Sequence, residues 1–81
     1  MDHPYAFRLR SGSYASFQAL VNDTNDNMIN PPPMAGDCYV IELDGGEDAN
    51  GAKIHKTDIV CYDGTNWLLL SEEEKLEVEG L

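Results

Sequence analysis

The sequence predicts a mainly β protein, a small antiparallel and sandwich-like β-module with one short α-helix. Residues 5–10 (YAFRLR) and 38–43 (CYVIEL) each alternate their side chains between two faces, which is the period of a β-strand. Residues 58–70 (DIVCYDGTNWLLL) place two apolar runs around Asp63-Gly64, and an Asp-Gly turn between apolar runs is a strong hairpin signal. These three segments are the basis for the predicted sheet.

A chain of 81 residues is long enough for one domain. We assign residues 1–70 to the β-module and residues 71–81 to an acidic C-terminal tail. A domain of this size buries only about 60% of the surface that its unfolded chain exposes. Its stability is therefore expected to depend on an additional element, such as a disulfide, a metal or a partner subunit.

The net charge of -10, from 15 acidic and 5 basic residues, argues against binding to nucleic acid or to the anionic cytoplasmic leaflet of a membrane. The first ten residues, MDHPYAFRLR, lack the apolar core of a signal peptide, and no apolar run reaches the roughly 20 residues of a membrane span. We expect a protein made in the cytoplasm. The acidic surface suits a basic protein partner, although a solvated acidic face is the more common explanation.

The first strand carries Arg8 and Arg10 on its outer face, opposite Tyr5, Phe7 and Leu9. These arginines are either ordinary solvent-facing side chains or a patch that pairs with acidic groups of a neighbouring subunit. The following segment, SGSYASFQALVN, predicts the short helix, with Ser13 or Ser16 as its N-cap. Its apolar residues recur at helical spacing and are expected in the core: Tyr14, Phe17, Leu20 and Val21.

Two irregular segments separate the remaining elements. Residues 22–37 contain three consecutive prolines and are predicted to form a loop. Residues 44–57 are rich in Gly, Asp and Asn and are expected to project from the module. The tail combines a capping-box pattern, Ser71 with Glu74, and a strand-like alternation at Leu76 and Val78. The local pattern does not decide between a helix and a strand for this segment, and a loosely held polar tail is the default expectation.

The chemistry-bearing residues do not form a recognisable catalytic or cofactor motif, and we expect a protein that is not an enzyme and has no cofactor. Asp23, Asn25 and Asn27 imitate the start of a calcium loop, but Met28 stands where that loop needs glycine. Cys38 and Cys61 lie in apolar strands, which favours two reduced thiols in the core. A cross-strand disulfide is the alternative if the two strands are neighbours.

Trp67 has two possible roles. It can cover one face of the sheet as a core residue, with its indole N–H bonded to a loop carbonyl. It can also stack on a sugar ring, with Tyr62 or Tyr39 beside it, as the platform of a carbohydrate-binding module. The core role is favoured, because a small domain seldom leaves a large aromatic side chain unused.

The order of these segments resembles a small β-module of bacteriophage virion proteins, which occurs in tail fibres, head fibres and capsid-decorating proteins. The similarity covers residues 11–70 and is carried by GSYASFQALVN, PPPMAGDCYVI and TDIVCYDGTNWLLL in that order. The matching positions are Gly36, Asp37, Tyr39, Ile41, Asp58, Ile59, Tyr62, Asp63, Gly64 and Trp67. Thr57 replaces the usual glycine before Asp58, and the loop at 44–57 is long.

The resemblance implies a non-enzymatic structural protein located in the virion, which would be a head-decoration or fibre subunit. Modules of this kind commonly assemble as homotrimers, so self-association would supply the missing stability. The expected partners are other copies of the chain, capsid or tail proteins, and a host surface glycan if the display loops or Trp67 bind one. From charge and composition, Arg8 and Arg10 or the tail from Ser71 are expected to attach to the particle, with residues 44–57 facing outward.

Overall fold

A computed structural model of the chain describes residues 5–80. Its elements in chain order are β1 (Arg8–Tyr14), α1 (Phe17–Asn25), β2 (Asp37–Ile41), β3 (Ile59–Tyr62), β4 (Trp67–Leu69) and α2 (Glu72–Glu79). The strands form one sheet in the order β1-β2-β3-β4. Residues 1–4 of the predicted module and residue 81 of the predicted tail lie outside the described residues.

The mainly β prediction is confirmed, but the sheet is mixed. β2 pairs with β3 and β3 pairs with β4 in antiparallel fashion, as the sequence indicated, whereas β1 pairs with β2 in parallel. A parallel pair cannot be joined by a tight turn and needs a crossover connection. Helix α1 and the proline-containing loop form that crossover, which explains why the chain is irregular for so long before β2.

β1 begins later than predicted and extends further. The expected strand was 5–10, but the observed strand continues to Tyr14, so this residue belongs to β1 and not to the helix. The pairing register with β2 shifts between Leu9 and Ser13, where Gly12 has a φ of 87°. A β-bulge of this kind bends a strand, and it interrupts the hydrogen-bond ladder between β1 and β2 at this point.

α1 starts where its capping chemistry requires. Ser16, one of the two predicted caps, is the N-cap, and its hydroxyl oxygen accepts a hydrogen bond from the Ala19 N–H at 3.1 Å. This bond satisfies one of the free N–H groups of the first turn. Phe17 and Leu20 are buried on the sheet, as the helical spacing predicted.

The C-terminal segment forms a second helix, which was one of the two alternatives left open for it, so the prediction of a single helix and the default of a loosely held tail are wrong. The capping box is complete: the Ser71 hydroxyl accepts from the Glu74 N–H, and the Glu74 carboxylate accepts from the Ser71 N–H. Glutamates in the first turn are favourable beside the positive end of the helix dipole. Val78 is 1% exposed, and its burial anchors α2 to the sheet.

The sheet lies between two apolar layers. The layer on the α1 side consists of Phe17, Leu20, Ile29, Tyr39, Ile41, Ile54, Val60 and Trp67. The layer on the α2 side consists of Phe7, Cys38, Ile59, Cys61, Leu70 and Val78. The second sheet that a sandwich requires is not found among residues 5–80, because helices and loops cover both faces. No helix in this range is long and apolar enough to span a membrane.

Candidate functional site

The aromatic cluster around Trp67 is part of the core. The Trp67 side chain is 4% exposed and its indole N–H donates to the Thr24 hydroxyl oxygen at 2.9 Å, in place of the predicted loop carbonyl. The Tyr62 ring lies 4.8 Å from the indole, centroid to centroid, and the Tyr39 ring lies 5.7 Å away. The hairpin turn at Asp63-Gly64 places Trp67 opposite Tyr62, so a local turn positions the centre of the cluster.

This burial leaves little of the predicted stacking surface accessible. Tyr39 is 7% exposed, and its ring lies 5.0 Å from that of Tyr14, centroid to centroid, in a T-shaped arrangement. Tyr62 is partly buried against the same cluster. A sugar ring needs an exposed aromatic face, and neither Trp67 nor Tyr39 offers one in this conformation. The core role of Trp67, favoured from the sequence, is the one that the structure shows.

Arg8 and Arg10 converge on the buried carboxylate of Asp37. The Arg8 Nε donates to Asp37 Oδ1 at 2.9 Å, and its Nη2 donates to the Ala35 carbonyl at 2.7 Å. Arg10 Nη1 lies 3.9 Å from Asp37 Oδ2, and its guanidinium carbon lies 5.4 Å from the Tyr39 ring centre. The Arg8 side chain is 48% exposed, whereas that of Arg10 is 16% exposed. Of the two predicted attachment residues, only Arg8 therefore presents a large surface.

The Gly36-Asp37 pair of the resemblance motif has a structural reason. Gly36 has a φ of 100°, and a Cβ atom there would collide with the Ala6 carbonyl. The Asp37 carboxylate also accepts from the Met34 N–H at 2.9 Å, which closes the end of the proline-containing loop. Glycine allows the close approach of the two chain segments, and the Asp37 carboxylate then pairs with the two arginines of β1, which leaves one positive charge unbalanced.

The segment 44–57 does not project as a whole, which corrects the prediction. Ile54 is buried in the α1-side layer, and the Asp48 carboxylate is buried as well. Asp48 Oδ1 accepts from the N–H groups of Asn50 and Ala52, and Oδ2 accepts from the Leu69 N–H, each at 2.9 Å. The Asp48 carboxylate therefore stabilises the turn within this loop through two hydrogen bonds and connects the loop to β4 through the third.

The exposed part of this segment borders an open cleft of about 510 Å³. The cleft is lined by Asp44, Gly45, Gly46, Glu47, Lys53, Ile54 and His55. Within residues 5–80 no three His, Cys, Asp or Glu side chains are grouped so that they could hold a metal ion. Asp23, the first residue of the calcium-loop pattern, instead accepts from the Tyr14 hydroxyl at 3.0 Å.

Sequence reasoning missed the roles of Asp37 and Asp48 as buried carboxylates. The signals that could have found them are weak: Asp37 follows a glycine at the start of a strand, and Asp48 precedes an Asn-Gly turn. Both were counted as polar loop residues. Comparisons with family models, with curated proteins and with solved structures found no match.

Proposed function

We propose that this chain is a non-enzymatic structural subunit of a bacteriophage virion, located on a capsid or tail as a head-decoration or fibre protein. The observation that carries the proposal is the ordered set of motifs around Gly36-Asp37 and Asp63-Gly64, which resembles small β-modules of such particles. In this fold those residues make internal contacts. Gly36 allows a close backbone approach, Asp37 binds two arginines, and Trp67 fills the core.

This use of the motif supports a display role. Residues that define the module hold the sheet together, and the exposed part of the segment 44–57 stays outside the core. A module whose shared residues are internal can change its outer loop without losing its fold. We therefore propose the cleft side of residues 44–57 as the outward face of the subunit.

We propose that the free edge of β1 is the attachment surface. β1 is hydrogen-bonded only to β2 within the described sheet, and an unpaired strand edge is a template for pairing with another chain. Leu9 is 42% exposed on this strand, and Arg8 adds an accessible positive charge next to it. The bulge at Gly12 limits the length of edge that a partner strand can use.

The exposed Leu9 side chain of this strand is proposed to mediate assembly into a homotrimer, which leaves the backbone edge of β1 for the particle. Several large apolar side chains are exposed on a domain with a small core: Leu9, Met28, Met34, Leu43 and Leu76. A sandwich of two sheets would in this proposal arise only between copies. Because each copy carries a charge of -10, assembly is opposed by repulsion that salt screens, with a Debye length of about 10 Å at 0.1 M.

Sedimentation velocity of the purified chain tests the assembly. A species of about three times the 9.0 kDa chain mass is expected, with more trimer in high salt than in low salt. Leu9→Asp should abolish it, and Leu76→Asp, which changes an equally apolar exposed residue on α2, should not. A monomer at all salt and protein concentrations would refute the trimer.

Location is tested on purified phage particles whose genome encodes this sequence. Mass spectrometry should detect the chain in gradient-purified particles at a fixed ratio to the major capsid or tail protein. Arg8→Gln should lower that ratio, while Lys56→Gln in the outward segment should leave it unchanged. Particles that lack the chain altogether would contradict the proposed function.

A further inference from the structure

The sheet brings the two cysteines of the chain directly opposite each other. Cys38 of β2 and Cys61 of β3 are Cα partners in the antiparallel register, and their side chains enter the same apolar layer beneath α2. Both are free thiols, with 0% and 2% exposure. The sequence alone left their separation open, and the register decides it.

The backbone pattern indicates which type of pair they form. Ile59 O accepts from the Leu70 N–H at 3.0 Å, so the backbone polar groups of Ile59 face β4. Cys61 lies two residues further on, and the strand period gives it the same direction. Cys38 and Cys61 are therefore a non-hydrogen-bonded pair, in which Cα atoms lie about 4.5 Å apart and side chains approach most closely. Disulfides occur at Cα separations of about 4.4–6.8 Å.

We propose that Cys38 and Cys61 form a reversible cross-strand disulfide, a redox-sensitive staple across the centre of the sheet, by exchange with a small-molecule disulfide such as oxidised glutathione. The proposal stands on the register and on burial, and it does not depend on the virion assignment. The staple would be open where glutathione is mainly reduced and closed in oxidising surroundings.

The exchange takes two steps. The Cys38 thiolate attacks one sulfur of oxidised glutathione, a mixed disulfide forms, and one glutathione leaves as a thiolate that takes up a proton. The Cys61 thiolate then attacks the Cys38 sulfur, and the second glutathione leaves and is protonated. The two cysteines lose two electrons and two protons, and the glutathione disulfide gains both.

Cys38 is the better first nucleophile. The two thiols donate to the Gly36 and Tyr62 carbonyls. Because the Cys61 thiol lies beside Cys38 and can donate to its thiolate, the pKa of Cys38 is lowered, and the same interaction, together with burial, raises the pKa of Cys61. The thiolate is the reactive form in disulfide exchange. We therefore expect Cys38 to attack first.

Access to the pair depends on α2. Val78, the buried residue of this helix, packs in the same layer as both cysteines, and Phe7 and Leu70 belong to this layer as well. A helix of eight residues with one buried side chain opens more readily than the sheet beneath it. The rate of oxidation should therefore follow the opening of α2.

Intact-mass spectrometry of the full chain in glutathione buffers of varied ratio tests the proposal. Acid-quenched and alkylated protein should shift from two alkylated cysteines to none, as a monomer, when oxidised glutathione predominates. Trypsin can cut at Lys53 and Lys56, between the two cysteines, so the oxidised form should yield peptides 11–53 and 57–75 as one linked species. Absence of this species, or linkage only between two chains, would overturn the proposal.

Variants test separately the disulfide itself and the control of its formation by α2. Cys38→Ser should prevent the linked species. Val78→Ala should raise the oxidation rate by about tenfold, because it weakens the docking of α2. Leu76→Ala, on the exposed side of the same helix, should leave the rate unchanged. Equal rates in the two helix variants would refute gating by α2, and the wild-type result decides on the disulfide even if Val78→Ala does not fold.

Discussion

The hydrogen bond between Trp67 and Thr24 joins two elements that are far apart in the chain, and Thr24→Val removes it. The indole N–H donates to the Thr24 hydroxyl oxygen at 2.9 Å, and the indole is 4% exposed. Valine has nearly the shape of threonine but no acceptor, so the variant leaves a buried N–H without a partner. Little cavity is created. The variant also loses the bond that the Thr24 hydroxyl donates to the Leu20 carbonyl at 2.7 Å, and the Trp67→Phe background separates this loss from that of the Trp67 contact.

The expected loss is about 1–3 kcal/mol, the cost of a buried donor left unsatisfied. Domains have a total stability of about 0.05–0.15 kcal/mol per residue, so this loss is a large part of what 81 residues provide. With a urea slope of about 1 kcal/mol/M for a small domain, the unfolding midpoint should fall by about 1–3 M. Thr24→Ser keeps the hydroxyl and should lose much less.

Urea unfolding followed by far-UV circular dichroism, at one fixed protein concentration, measures the effect in four proteins. These are the wild type, Thr24→Val, Trp67→Phe and the double variant. In the Trp67→Phe background no indole N–H exists, so Thr24→Val should cost less there, by about 1–2 kcal/mol. If the two single losses simply add, or if Thr24→Val and Thr24→Ser are equally stable, the reasoning is refuted.

Three further predictions follow from other contacts of the core. Asp48→Ala should lower the free energy of unfolding by about 3 kcal/mol or more, because a buried carboxylate that accepts hydrogen bonds from three backbone N–H groups is lost. Asp48→Asn should lose less stability. Urea unfolding measures both variants, and an unchanged midpoint would contradict the role of Asp48. Burial and the hydrogen bond to Asp23 raise the pKa of Tyr14 from 10.0 to about 12, so this tyrosine binds its proton more tightly in the folded chain than in the unfolded chain. Its contribution to the free energy of unfolding should be complete below pH 10 and be lost between pH 10 and about 12. Tyr14→Phe, measured by urea unfolding across this range, should therefore lose less stability than the wild type as the pH rises. The fluorescence emission of Trp67 should be blue-shifted and protected from quenching by acrylamide, because the indole is buried. Strong quenching in the native protein would instead favour an exposed, sugar-stacking Trp67.

Features that depend on neighbouring residues in the chain could be predicted well. The Asp63-Gly64 turn was identified, Ser16 is one of the two predicted caps, and Phe17 and Leu20 lie on the predicted apolar face of α1, because turns, caps and helical periods are set by local backbone geometry. The capping box at Ser71 was also recognised, but the alternation of Leu76 and Val78 competed with it. The buried position of Val78 resolved that conflict in favour of the helix.

Features that depend on distant partners could not be predicted. Arg8 was assigned to solvent or to another subunit, whereas Asp37, which becomes its neighbour through the parallel pairing of β1 with β2, binds it within the chain. Asp48 was assigned to an exposed loop, although it fastens that loop to β4. In both cases the sequence shows a charged residue without showing which element lies beside it.

The sequence by itself determined the mainly β class, the hairpin, the apolar spacing of the first helix and the strong acidity of this protein. The tertiary structure decided the direction of β1, the second helix, the internal partners of the arginines and the facing position of Cys38 and Cys61. The physical reason is the range of the interactions. Local backbone preferences shape each segment, but which segments become neighbours depends on the burial of all of them together.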